Sequence, residues 1–442
     1  MAPPLIFRTV SRRILRPAPT LSASSSATQP YHHIASISSC SLGGPGTKLA
    51  SSPSEPRRFP SRGFDVVDKG EVIEEEGLPK YKPEHFYPAR LGEVFNDRFQ
   101  IVTKLGYGSC STIWLARDLH DHQYVALKIY IHNSACHREL PFYERLNREL
   151  PSEHPGAGNV RKLLGSFEIA GPYGKHIALV LQASQMSLLD MDTVWMNGCG
   201  LGEALVKGAI QELLKAIDFL HTDLQVVHTD VHPGNLLIGS NENSLFKVLE
   251  DLEISSPVPR KEHSDRTIYF SRVMKPKVGP LLLSDFGEAR LGPGPHTGDI
   301  MPIPYRAPEI ILGLQWSYPV DIWSVGLTAW SLLQAKNLFS ARKDDGSLSD
   351  GVHFSELIAA LGLPPAELLD RNRERALEYW DEHGNWAGLV PIPMEKTLEA
   401  TETKLKDKTK FLQFIRRTLA WDPQKRPTAR ELLQDPWLTN ED

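Results

Sequence analysis

Two hydrophobic periodicities alternate along this chain. Phe99, Ile101, Thr103 and Leu105 recur every second position, as do Ile113 and Leu115, which predicts two strands of a hairpin. Between them lies the turn Gly106-Tyr107-Gly108-Ser109-Cys110-Ser111. A third strand runs through Val125, Leu127, Ile129 and Ile131, with Ala126 and Lys128 on its other face. A helix start follows at Glu139-Leu140-Pro141-Phe142-Tyr143-Glu144-Arg145-Leu146, and His176 to Gln182 reads as a further strand. Residues 201–222 then change period. Val206, Ile210, Leu213, Ile217 and Leu220 fall at spacings of three and four, the pattern of one amphipathic helix.

The glycine pair lets backbone approach a phosphate, but hairpins use glycine for turns as well. Lys128 narrows the choice. A lysine inside an apolar strand is costly to bury unless it meets an anion, and the small Ala126 beside it leaves room for a flat ring. Glu139 or Glu144 can supply that anion; Glu139, which leads the apolar pattern, is preferred.

With these residues the chain resembles a eukaryotic protein kinase: glycine-rich loop, V-A-x-K strand and a helix glutamate. Leu105 to Trp114, including Thr112, is similar to the loop of SR-protein kinases in the CMGC group, with Ser111 in place of the third glycine. Later motifs extend the resemblance. His228-Thr229-Asp230-Val231-His232-Pro233-Gly234-Asn235 matches the catalytic loop, Ser284-Asp285-Phe286-Gly287 the metal-binding turn, and Tyr305-Arg306-Ala307-Pro308-Glu309 the APE element. Asp321 to Gly326 matches the helix that anchors the catalytic loop, and Arg426 is the arginine expected to pair with Glu309. His-Thr-Asp in place of His-Arg-Asp, an insert at 240–279, a CMGC-type insert at 340–400 and the closing Asp435-Pro436-Trp437-Leu438 point to SR-protein kinases, and to a fungal SR-kinase-like branch.

The resemblance implies an α+β, bilobal protein kinase fold at 99–439, with a small β-rich N-lobe (99–185) and a larger α-helical C-lobe (186–439). It implies ATP and Mg2+ as cofactors. Asp230 would take or orient the substrate hydroxyl proton, Asn235 and Asp285 would hold Mg2+, and Lys128 with Glu139 would hold phosphate. Gly106 to Thr112 would cover the phosphates. Leu105, Ile113, Ala126 and Leu237 would sandwich the adenine, with Leu181 as gatekeeper and the backbone of Gln182 to Ser184 reading the ring edge. The implied substrates are Ser/Thr hydroxyls in basic, Arg/Ser-rich protein segments, with Asp344, Asp345, Asp350, Glu356, Glu367, Asp370 and Glu374 as acids suited to them; a solvated acidic face fits those seven equally.

Besides Ser111, three positions depart from the common protein-kinase pattern. Thr229 replaces the arginine that pairs with activation-loop phosphate, and Thr297 is the one hydroxyl between Glu288 and Pro304, so an activation segment ordered by packing alone is expected. His232 stands where the family has lysine, and Pro302 where it has threonine. Aminoglycoside and choline phosphotransferases carry a similar His-Pro-Gly loop. A pseudokinase scaffold and a small-molecule kinase therefore stay open as alternatives.

Charge divides the chain. Residues 1–64 hold eight basic side chains against Glu55, so this segment carries +7 and the remaining 378 residues −12 of the net −5. An acidic body without a basic run argues against direct nucleic-acid binding. The first 64 residues hold thirteen serines and nine prolines, and disorder is expected. Their first sixteen place Ile6, Phe7, Val10 and Ile14 opposite Arg8, Arg12 and Arg16, as in a mitochondrial leader, whereas SR-kinase resemblance implies cytoplasm or nucleus. Residues 65–98 read as an extension lying against the domain. No run approaches the roughly 18 apolar residues of a membrane span. Four scattered cysteines suggest no disulfide or zinc framework, and a monomer is expected.

Overall fold

The computed structural model describes residues 52–132, 138–240, 242–388 and 390–439; the leader-like segment, Cys40 and Cys136 lie outside them. Strands β1 (Val94–Phe95), β2 (Phe99–Gly108), β3 (Ser111–Asp118), β4 (Gln123–Tyr130), β5 (Leu163–Ala170) and β6 (Lys175–Gln182) form one antiparallel sheet in the order β1-β2-β3-β4-β6-β5. The period-two reading of β2 slips. Register shifts between Ile101 and Thr103 and between Lys104 and Gly106 turn the strand, so Leu105 packs in the cluster on the face opposite that of Phe99 and Ile101. A bulge inserts a residue without altering composition, so alternation alone cannot announce it.

Helix α1 (Leu140–Glu149) covers one face of this sheet through Phe142, Tyr143 and Leu146. The C-lobe continues through β7 (Ser184–Ser187), α2 (Glu203–Thr222), β8 (Val226–Val227) and β9 (Leu236–Gly239). The five apolar residues that predict α2 are all fully buried, and the helix starts at Glu203 because Gly202 is still extended. The insert forms α3 (Asn243–Ser255) and the hairpin of β10 (Arg260–Glu262) and β11 (Thr267–Tyr269). Then come β12 (Leu281–Leu283), β13 (Arg290–Leu291), α4 (Pro319–Gln334), α5 (Asp350–Leu361) and α6 (Thr409–Thr418). Strand order β12-β9-β7 and the pair β13-β8 make the platform of the C-lobe.

The insert follows a C-lobe strand in sequence, yet it packs on the N-lobe. Thr103 donates to Glu253 at 2.9 Å, Tyr124 to Glu250 at 2.7 Å, and Tyr269 meets Trp114 edge-on. The extension joins it. Lys104, fully buried, sits between Glu74 and Glu75, and Lys261 of the hairpin meets Glu76 at 2.9 Å. Residues 52–64, grouped with the tail by composition, are docked as well: Arg57 reaches Asp251 at 2.9 Å and Phe64 lies under Arg260. Their partners come from α3 and β10, which composition of the tail cannot reveal.

Gly156 lets the backbone come close against α2. A Cβ there would stand 1.8 Å from the carbonyl oxygen of Lys215 on α2. Gly156→Ala is expected to destabilise the fold by about 3 kcal/mol, as overpacking against backbone does, and urea unfolding checks it. No described helix is long and apolar enough to cross a membrane.

Candidate active site

β4 carries Lys128 into the space between the lobes. Its ammonium, nearly buried, lies 2.8 Å from Glu139 and 3.1 Å from Asp285. Glu139 is fully buried at the N-terminus of α1, where it also accepts from Tyr130 and from the Phe286 N–H at 3.3 Å; Glu144 is exposed. Burial opposes the charge on Lys128, but Asp285 and Glu139 override it and hold the pKa well above the ordinary value. Burial likewise pushes Asp285 up, and Lys128 more than reverses this, leaving the carboxyl below its usual range. Phe286 stacks on Phe142 at 3.7 Å, so the turn that presents Asp285 is packed against α1.

The catalytic-loop motif hangs from one buried carboxylate. Asp321, at the start of α4, accepts the N–H groups of His228 and Thr229 at 2.8 Å each, and His221 at 2.9 Å. Thr229 sits at φ +69°, which these bonds hold in place. His228 is buried and burial lowers its pKa; its Nδ1 takes the Asp230 N–H while Nε2 faces the Ser284 carbonyl. Pairing of β9 with β12 brings Asn235 beside Ser284 and Asp285, since Ser284 N–H donates to Asn235 O at 3.0 Å. Asn235 Nδ2 donates to Asp230 O at 2.9 Å and to Asp230 Oδ2 at 3.3 Å. Asp230, Asn235, Lys128, Glu139 and Asp285 thus converge on one cleft.

His232 joins them, with Nε2 3.7 Å from Asp230 Oδ2. Burial disfavours its charge and Asp230 favours it more strongly, raising the pKa; the Gly234 N–H, which donates to Nδ1, favours the neutral ring.

The glycine-rich turn is a two-residue hairpin, Ser109-Cys110, between paired Gly108 and Ser111. Thr112 is buried and its hydroxyl accepts from Trp114 at 2.9 Å. Leu105, Ile113 and Leu237 are partly exposed beside the buried Ala126. Leu181 is buried behind them, Gln182 O accepts from Arg161 at 3.0 Å, and Ser184 pairs with Gly239.

Whether these groups suit Mg2+ can be read from the donors. No cluster of three His, Cys, Asp or Glu able to hold a metal occurs among the described residues. Mg2+ is usually bound through one or two carboxylates plus substrate phosphates, and an ionised, half-exposed Asp285 next to Asn235 fits that demand.

The activation segment is tied by protein groups. Thr229 Oγ1 donates to Glu288 O at 2.8 Å, a contact sequence reasoning missed; the hydroxyl itself was the signal. Arg306 meets Asp350 at 3.4 Å, His296 pairs with Trp316, and Glu309 forms a buried two-pronged pair with Arg426 at 2.6 and 2.7 Å. Among the seven acids expected to face a basic substrate, Glu356 is buried on Ser340, Ala341 and Lys396, and Asp350 is engaged by Arg306. Asp344, Asp345, Glu367, Asp370 and Glu374 are exposed.

Residues 99–438 match the protein kinase domain family. A serine/threonine protein kinase of Aspergillus fumigatus is 42% identical over 393 residues, covering 87% of this chain and 96% of that protein. The serine/threonine-protein kinase SRPK of Physarum polycephalum is 29% identical over 84% of this chain and 94% of its own. Protein kinase dsk1 of Schizosaccharomyces pombe is 23% identical over 85% and 87%. A crystal structure of a kinase domain shares the fold, with a TM-score of 0.63 and 22% identity over 80% of this chain and 99% of that one. The chain belongs to the protein kinase family, as a serine/threonine protein kinase with SR-protein kinases among its more distant relatives.

Proposed function

We propose that this kinase transfers the γ-phosphate of ATP to serine or threonine hydroxyls in basic, Arg/Ser-rich protein segments. The observation that carries the reading is the Lys128–Glu139 pair, closed at 2.8 Å, with Asp285 3.1 Å from the same ammonium. Lys128 holds the ATP phosphates, Glu139 keeps it aimed, and Asn235 with Asp285 holds Mg2+, which neutralises charge on the transferred group when bound. Asp230 orients the substrate hydroxyl and accepts its proton. Backbone of Gly106 to Thr112 covers the phosphates; Leu105, Ile113, Ala126 and Leu237 enclose the adenine, whose edge meets the backbone of Gln182 to Ser184. The exposed acids Asp344, Asp345, Glu367 and Glu374 would suit a basic segment, and the likeness to a protein named SRPK supports the Arg/Ser class.

Magnesium-dependent transfer from labelled ATP to an Arg/Ser peptide, beside a peptide with lysine-free acidic flanks, tests this. Labelling of the first and not the second is expected. ATP binding without labelling of either would favour a scaffold and sink the proposal. A second expectation concerns activation. Thr229 stands in place of the arginine that would pair with a phosphate, and it and Arg306 already have protein partners, so Thr297→Ala is expected to keep the peptide rate within about twofold. Steady-state kinetics on protein treated with phosphatase checks it.

A further inference from the structure

His232 begins a short turn, Pro233–Asn235, whose geometry fixes the ring. Proline has no N–H, so the first free donor of the turn is Gly234 N–H, which meets His232 Nδ1 at 3.1 Å. With Nδ1 accepting, the hydrogen of a neutral ring is on Nε2; a cationic ring carries one there too. In either state Nε2–H faces Asp230 Oδ2 at 3.7 Å. The same oxygen takes Asn235 Nδ2 at 3.3 Å, whereas among the described residues no hydrogen bond reaches Oδ1. The two carboxylate oxygens are therefore unequal: one is held, the other is open.

Gly234 makes the seat possible. A Cβ at this position would lie 2.8 Å from His232 Cε1 and 3.0 Å from Nδ1. Tyr305 closes the far side, edge-on to the imidazole at 6.2 Å, with its hydroxyl placed by Ser331 and Asn337.

We propose that His232, seated by Gly234, is a positioning residue that holds Oδ2 of Asp230 through Nε2–H and leaves Oδ1 to take the substrate's proton. This rests on Asp230 as the proton acceptor. In the balanced step the hydroxyl oxygen bonds to the γ-phosphorus, its bond to the β–γ bridging oxygen breaks, the proton passes to Oδ1 and ADP leaves.

The test is steady-state kinetics of the full chain on the Arg/Ser peptide. His232→Leu is expected to lower kcat about tenfold to a hundredfold, the range for losing a hydrogen bond to a charged group, because the 3.7 Å contact closes to a hydrogen bond when substrate binds, with KM for ATP and peptide unchanged. Gly234→Ala should lower kcat in the same direction, and His232→Lys, which restores a donor, should recover most of it. In an Asp230→Asn background His232→Leu should cost nothing more, because the group it positions no longer accepts a proton. Nitrogen-15 NMR of the histidines should show hydrogen on Nε2 of His232. Full kcat in His232→Leu, a loss carried by KM for ATP, an equal further loss beside Asp230→Asn, or a neutral ring with hydrogen on Nδ1 would each overturn the proposal. Full activity of Asp230→Asn alone would instead overturn the assignment of Asp230.

Discussion

Asp230→Asn is expected to lower kcat for peptide phosphorylation about a thousandfold, within the range for losing a general base, while ATP still raises the melting temperature. Asparagine is nearly the same size and keeps the backbone bonds that place this residue: its N–H on His228 and its carbonyl under Asn235. What disappears is a carboxylate able to take a proton. Lys128, Glu139 and Asp285 are untouched, so nucleotide affinity should remain. Labelled-ATP transfer and thermal shift on the same protein separate the two effects. A variant that still phosphorylates at the parent rate would remove Asp230 from the reaction.

Arg426→Ala is expected to destabilise the protein by about 3–5 kcal/mol, the range for breaking a buried ion pair by deleting one partner. Both side chains are buried, and Arg426 also donates to the carbonyls of Ala420 and Pro319 and lies over Trp323. Alanine would leave Glu309 without its partner and both carbonyls without this donor. The cost should fall when Glu309→Leu is added, since the stranded carboxylate is then gone. Urea unfolding of the two single variants and the double variant reads the coupling. Equal, additive losses would mean that packing around Trp323 matters more than the pair.

The elements that position the site were legible where burial has one cause. α2 shows its five-residue stripe because a single face meets the core, and Lys128 stands out because nothing else polar shares its stretch of β4. Lys104 is the counterexample. It lies in a strand of alternating character, so it reads as a solvent-facing lysine, yet it is fully buried. Its anions, Glu74 and Glu75, come from a segment whose only signal is a run of glutamates. The turn in β2 escaped notice for a related reason, because a bulge changes which face a residue takes and leaves the residue itself unchanged. Glu356 failed in the opposite sense. It looks like a surface acid, but Ser340, Ala341 and Lys396 satisfy it inside α5's packing. His232 was visible as a departure, while its role depended on Gly234, whose missing side chain matters only once the ring is seen above it.

The docked extension means that the catalytic domain and the folding unit have different beginnings. The family match opens at Phe99, between the strand that carries Lys104 and the glutamates that neutralise it. Chain cut at that boundary would keep the phosphate loop, the lysine and both metal ligands, and would lose Arg57, Phe64 and Glu74 to Glu76 together. The sheet face they help cover would then meet water, with a buried ammonium left lacking its anions. A shortened chain is therefore expected to fold more stably when it keeps residues 52–98 than when it starts at Phe99, and thermal unfolding of the two lengths checks it.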